Sequence, residues 1–172
     1  MSKPQVSIVM GSDSDLEIMR ETGKALEEFG IGYEMDVTSA HRSPDRTAEF
    51  ARQAASRGIR VIVAGAGGAA HLAGVIAAHT TLPVIGVPIP STSLQGMDSL
   101  LATVQMPAGV PVATVAIGRA GAENAAILAV QILSLKSRPL RQRLERFKAE
   151  LAQSVEGKNL RLQRKLFPDL AE

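Results

Sequence analysis

Five short apolar runs punctuate the first 117 residues, and each gives way to a stretch of helical periodicity. Val6–Met10, Glu34–Val37, Ile59–Ala64, Pro83–Val87 and Pro111–Ile117 read as strands. Helices are expected at about 14–29, 44–57, 68–79, 98–104 and 120–135. Strands that are apolar along most of their length, rather than on alternate residues, are buried on both faces. Parallel pairing with helical crossovers meets that demand, and right-handed crossovers put helices on both sides of the sheet. The expected fold is α/β: a three-layer, doubly wound, five-stranded parallel sheet in the flavodoxin-like order 2-1-3-4-5. Residues 1–137 form this domain, and 138–172 a C-terminal helical tail that is not a domain of its own.

Composition narrows what such a domain can do. With 45% hydrophobic and 21% charged residues in 172, the chain is globular, and at this size it buries roughly 70% of its unfolded surface. It has no Cys, which excludes disulfides, thiolate nucleophiles and Cys-ligated metals. Its three His are scattered with no His-x-x-x-His pair, so no metal is expected, and the loops read below call for no organic cofactor. Aromatics make up 3% and Trp is absent, which argues against a base-stacking nucleic-acid platform. No apolar run is long enough to span a bilayer and the start has no signal-peptide pattern, so a cytoplasmic location is expected. The net charge of +2 divides unevenly: residues 136–172 carry 10 Lys/Arg against 5 Asp/Glu, leaving −3 on the remainder. Between Glu49 and Asp98 there is no acidic residue at all, so a site built there favours anions.

In a sheet of this order ligands sit beyond the carboxyl ends of the strands, so the loops after the first three strands matter most. The first reads Gly11-Ser12-Asp13-Ser14-Asp15-Leu16-Glu17. Its hydroxyls at a helix N-terminus suit a phosphate, although Ser14 and Glu17 also fit a capping box. Asp15 can accept hydrogen bonds from ribose hydroxyls, or simply favour a helix's first turn. The second loop reads Thr38-Ser39-Ala40-His41-Arg42-Ser43-Pro44-Asp45. Ser43-Pro44 is an ordinary helix start. His41 can move a proton in both directions near neutrality, and Arg42 is a permanent bidentate donor for phosphate. The third loop, Gly65-Ala66-Gly67-Gly68-Ala69-Ala70-His71-Leu72, contains a G-x-G-x-x-A pattern. It follows the wrong strand for a dinucleotide site and lacks the acidic residue about 20 positions on. A small-walled pocket with backbone N–H groups aimed at a carboxylate or a trapped small molecule is the better reading, with His71 as an anchor. The glycines would otherwise serve tight helix–sheet packing. His79, near a helix end, suits the dipole there.

The tail begins with a basic helix that carries Leu140, Leu144, Phe147 and Leu151 on one face, followed by Leu160, Leu162, Leu166 and Phe167. Periodicity alone leaves two readings open, packing on its own domain or docking on a neighbouring subunit.

Taken jointly, the three loops, Gly96-Met97-Asp98-Ser99-Leu100-Leu101, Val104-Gln105-Met106-Pro107 and Pro111–Gly118 resemble one family over about residues 6–135. It is the class I 5-(carboxyamino)imidazole ribonucleotide mutase family of purine biosynthesis, the catalytic-subunit type of phosphoribosylaminoimidazole carboxylase. The resemblance implies that Ser12, Ser14, Asp15, Ser39 and Arg42 hold the ribotide and that His41 is the general acid/base. It implies that Gly67, Gly68, Ala69, Ala70, His71 and Leu72 wall in the migrating carbon dioxide. The implied reaction shifts a carboxylate from the exocyclic nitrogen to C4 without metal, ATP or biotin. The implied assembly is a homo-octamer, which favours subunit contacts for the tail, with an ATP-dependent synthetase as pathway neighbour. Class II relatives resemble this chain less, carrying Lys at the position of Arg42 and lacking the Gly-Gly-Ala-Ala-His run. Leu16, Ser43 and Ala73 depart from the family pattern, where an aromatic, Thr and Pro are usual. Carboxylation of aminoimidazole ribonucleotide by free carbon dioxide and a phosphoribosyl-ligand sensor stand as rivals.

Overall fold

The computed structural model describes residues 3–167. Its elements are β1 (Val6–Met10), a 3-10 turn (Asp13–Asp15), α1 (Leu16–Glu28), β2 (Tyr33–Val37), α2 (Pro44–Arg57), β3 (Val61–Gly67) and α3 (Leu72–Ala78). There follow β4 (Val84–Ile89), α4 (Met97–Val104), β5 (Ala113–Thr114), α5 (Arg119–Ser134) and α6 (Arg138–Leu166). The five strands form one sheet in the order β2-β1-β3-β4-β5, and every pairing is parallel. This is the topology expected from the alternation of apolar runs and amphipathic stretches.

Burial follows strand position. β1 and β4 are buried at every residue, as continuous apolar runs demand. β2 is an edge strand and only half-buried, which is why it tolerates Glu34 and Asp36. One face of the sheet packs Val9, Ile62, Ala64 and Val84 against Ala51 and Ala54 of α2 and Leu72, Ala73 and Ile76 of α3. On the opposite face Met19 of α1 lies over Gly65, where a side chain would come within 2.9 Å of its Cγ. Thr22 donates to the Ala122 carbonyl at 2.8 Å and so ties α1 to α5.

β5 is far shorter than the expected Pro111–Ile117, with ladder partners only at Ala113 and Thr114. It is an edge strand, and Pro111 has no N–H to extend the ladder. The third helix starts at Leu72 rather than near Gly68, because Gly68 sits at φ +59, outside the helical region.

The chain divides into two compact units, 1–133 and 134–172. Among the described residues the second consists mainly of one long helix, α6, where the sequence suggested a helix and a separate polar segment. Ser137 caps its start by accepting from the Leu140 N–H, with Pro at the N-terminal turn. Phe147 is half-buried, and from Leu151 onward the large apolar residues stay exposed: Leu151, Val155, Leu160, Leu162, Leu166 and Phe167. The last part of the expected tail, 168–172, lies outside the described residues. No helix among the described residues is long and apolar enough to cross a membrane.

Candidate active site

Strand order brings the three loops together. β1 lies between β2 and β3, and Met10 is level with both Val37 and Gly65. The chain therefore leaves all three strands at the same height and on the same edge, at the point where the winding reverses. A cavity of about 190 Å³ opens there. It is lined by Ser12, Ser14 and Asp15 after β1, by Ser39, His41 and Arg42 after β2, and by Gly67, Ala69, His71 and Leu72 around the end of β3. Ten of the twelve residues expected in a site thus share one cavity. Gly68 and Ala70 do not line it. Gly68 makes the turn with its positive φ, and Ala70 is buried.

The first loop is organised by Ser12, not by Ser14. Ser12 caps the 3-10 turn, accepting from the Ser14 N–H at 3.3 Å and the Ser14 hydroxyl at 2.9 Å. The capping box read from Ser14 and Glu17 does not form, because the helix proper starts two residues later, at Leu16. Asp15 is 5% exposed. Burial pushes its carboxyl above the usual range, against the lowering effect of hydrogen bonds from the Ser12 backbone and the Ser14 side chain. A carboxylate kept at such a cost in a cavity wall is a marker of function rather than stability.

This cost makes a prediction. An acid whose folded pKa is raised binds protons more readily folded than unfolded, so its contribution to stability falls as pH rises through that interval and stays low above it. Asp15→Asn is therefore expected to raise the melting temperature by a few degrees near pH 7, an advantage that shrinks below pH 4. Calorimetry at the two pH values checks it, and an unchanged or lower melting temperature at pH 7 contradicts it.

The second loop is held from within. Ser43 does not cap α2 with its side chain. Its Oγ accepts from the Ser39 N–H and donates to the Ser39 carbonyl, both at 3.1 Å, which closes the loop. Ser39 Oγ accepts in turn from the Arg42 N–H at 3.2 Å and from Arg42 Nε at 3.4 Å. Arg42 Nη2 donates to the Gly11 carbonyl at 3.1 Å, across to the first loop. The side edge of the guanidinium, Nε and Nη2, is thus spent on fixing its position. Asp15 and Arg42 are the charged residues lining the cavity.

The third loop differs from its expected role in one respect. The N–H groups of Ala70 and His71 are already used, bonding to the carbonyls of Gly68 and Ala69 at 2.9 and 2.8 Å. Those two amides are not available to a ligand, and the run also contributes small walls and the His71 side chain. Gly67 matters for close approach: a Cβ there would lie 2.8 Å from Ser91 Cβ and 3.2 Å from the Ile89 carbonyl oxygen. Ser91, just after β4, fills that space and joins the cavity wall. Sequence reading missed it, and no motif marks it. The absence of a side chain at Gly67 is the only signal, and it reads equally as a small pocket wall or as room for tight helix–sheet packing.

His41 and His71 meet across the end of β1. His41 Nε2 stands 2.8 Å from His71 Nδ1, with the rings edge to face at 78° and centroids 4.9 Å apart. His79 caps the C-terminus of α3, away from the cavity. Gln105 caps the C-terminus of α4, and Asp98, in the first turn of that helix, accepts from Thr92 Oγ1 at 2.6 Å. That bond holds the Asp98 carboxyl below its ordinary range. Neither Asp98 nor Gln105 lines the cavity.

Comparison with known proteins agrees with this architecture. The family model described as AIR carboxylase matches residues 5–154. The N5-carboxyaminoimidazole ribonucleotide mutase of Pyrococcus horikoshii is 56% identical over 161 residues, covering 94% of this chain and 90% of that protein. The protein of the same name from Mycobacterium tuberculosis is 55% identical over 162 residues, covering 94% and 92%. Among solved structures, PurE of Treponema denticola superposes with a TM-score of 0.84 at 28% identity, covering 94% of this chain and 99% of that one. With a family model matched over most of its length and relatives above 50% identity, the chain belongs to the AIR carboxylase family.

Proposed function

We propose that the chain is a 5-(carboxyamino)imidazole ribonucleotide mutase that moves the carboxylate of its substrate from the exocyclic nitrogen to imidazole C4. The observation that carries the reading is the convergence on one cavity of a histidine, a fixed guanidinium, a hydroxyl-rich turn and a wall of small side chains. Arg42 and the Ser12–Ser14 turn receive the phosphate, and Asp15 and Ser39 hold the ribose side. His41 protonates the carbamate nitrogen. The nitrogen–carbon bond then breaks, its electron pair stays on nitrogen, and carbon dioxide is released into the space bounded by Gly67, Ala69 and Leu72. C4 attacks the held carbon dioxide, and its proton returns to His41. One proton leaves the enzyme and one comes back, so the cycle balances without cofactor or metal.

The family description names a carboxylase, whereas relatives at 53–58% identity carry the mutase name. Substrate labelled with ¹³C in its carboxylate separates the two. In unlabelled bicarbonate a mutase that holds its carbon dioxide returns product with the label retained. Complete washout of label would instead mean carboxylation from free carbon dioxide. A phosphoribosyl sensor would give no product.

Arg42→Lys is expected to weaken product binding roughly tenfold, because one ammonium cannot both hold the Gly11 carbonyl and meet the anion with a planar edge. Titration calorimetry with the product checks this, and unchanged affinity removes Arg42 from the phosphate site.

A homo-octamer operating in the cytoplasm, downstream of an ATP-dependent synthetase, completes the reading. Two exposed apolar stripes support association. One runs along α4 through Met97, Leu101 and Val104, with Leu94 just before it. The other runs along α6 through Leu151, Val155, Leu162 and Leu166. The tail's role in subunit contact belongs to this proposal.

A further inference from the structure

The two histidines of the cavity are joined to each other. We propose that His71 is a positioning residue for His41: its Nδ1 fixes the ring of the general acid/base and shares one proton with His41 Nε2 through the cycle. The inference rests on the reading of His41 given above and assigns His71 a role other than binding the carboxylate.

A ring nitrogen pair 2.8 Å apart needs one hydrogen between them. With none, two lone pairs face each other; with two, two N–H donors do. The facing nitrogens therefore hold a single proton, and the tautomer of one ring dictates that of the other. This matters because His41 has to begin each cycle as an acid and finish it as one. When His41 gives a proton to the carbamate nitrogen, the shared hydrogen keeps the ring in place. When C4 gives its proton back, the same bond receives the ring in its starting orientation. The edge-to-face geometry suits this: His71 presents an in-plane nitrogen to His41 instead of stacking on it. Both residues lie on exposed loops, so no packing requirement explains the contact. The backbone supports it as well. His71 directly precedes α3, and its carbonyl accepts from the Val75 N–H at 2.9 Å, which anchors the residue in the first turn of the helix. The other charged groups facing the pair are Asp15, from the loop after β1, and Arg42, beside His41.

The alternative role, in which His71 simply grips the substrate's carboxylate, makes a different prediction. Loss of a group that binds ground state and transition state alike raises KM and spares kcat, whereas loss of a residue that positions the acid lowers kcat and leaves KM nearly alone. The experiment uses full-length protein with His71→Phe and His71→Asn. His71→Phe is expected to lower kcat roughly 100-fold with KM changed less than about threefold. Asn keeps an acceptor oxygen for His41 Nε2–H and cannot relay a proton, so His71→Asn is expected to recover about a tenth of the wild-type rate. Long-range ¹H–¹⁵N spectra of the free enzyme provide a readout that needs no turnover. The His41 Nε2 and His71 Nδ1 signals should move together during a pH titration, and the His41 signals should shift in both variants. A raised KM with kcat preserved would overturn the proposal, as would His41 ring signals that are unchanged by loss of His71. Either result leaves the mutase reading standing if His41→Asn is at least about 100-fold slower than wild type; undiminished turnover by His41→Asn would instead sink the reading of His41 itself.

Discussion

His41→Asn is expected to lower turnover by roughly 10²–10⁴-fold while leaving ribotide affinity within about threefold of wild type. Asn matches the imidazole in approximate size and hydrogen-bonds at a similar reach, but it has no group that gains and loses a proton near neutrality. The remaining binding groups do not depend on His41. Arg42 is held by Gly11 and Ser39, and the serine turn by its own hydrogen bonds. The loss should therefore fall on kcat. Steady-state kinetics together with product titration separates the two quantities. A variant that binds poorly but turns over normally once saturated would make His41 a binding residue and leave the chemistry without an acid.

The second large effect lies away from the cavity. Gly121→Ala is expected to destabilise the fold by about 3 kcal/mol, lowering the melting temperature by roughly 6–12 °C. A Cβ at Gly121 would stand 2.6 Å from the Ala116 carbonyl carbon, with the carbonyl oxygen closer still. That wall is backbone and cannot rotate away as a side chain can. Nor can the helix easily retreat. Ala122 bonds back to Gly118 at 3.0 Å, its own carbonyl receives Thr22, and Ala122, Ala125, Ala126 and Ala129 are fully buried. Gly157 supplies the control. It lies in α6 with only the end of Arg161 nearby, at 3.9 Å, so Ala there should be neutral or stabilising by about 1 kcal/mol. Parallel thermal melts decide the matter. Equal melting temperatures for the two variants would mean that the N-terminus of α5 is looser than its contacts imply.

The legible part of this molecule is the part set by periodicity and topology. Continuous apolar runs at Val6–Met10 and Ile59–Ala64 demanded a sheet covered on both faces, and crossover handedness put helices on each face; the order 2-1-3-4-5 was chosen from the common doubly wound orders, and the sheet has it. Once β1 stands between β2 and β3, the loops after all three must meet, so Ser12, His41 and His71 could be placed in one region from the sequence alone. Local bonding was less legible. Whether Ser12 or Ser14 caps the first turn depends on where the helix starts, which the run Ser12-Asp13-Ser14-Asp15, four hydroxyl-bearing or acidic residues, leaves undecided. The Ala70 and His71 amides turn inward because two tight turns form in the Gly68–His71 run, and periodicity has no term for that. Ser91 and the His41–His71 contact are tertiary. Each joins residues at least 24 positions apart, and only the sheet brings them together. β5 was overread because an apolar run beginning at Pro111 signals burial without signalling which N–H groups have partners.

The reaction proposed for this chain is a cofactor-free carboxylate shift driven by His41. The direct measurement is conversion of freshly prepared 5-(carboxyamino)imidazole ribonucleotide to its C4-carboxy isomer, followed by ultraviolet absorbance. Chelator is present, and bicarbonate, ATP and metal are omitted. Fast conversion is expected from the wild-type chain, and conversion slowed at least about 100-fold from His41→Asn. Conversion that requires added bicarbonate, or that is undiminished in His41→Asn, would contradict this reaction.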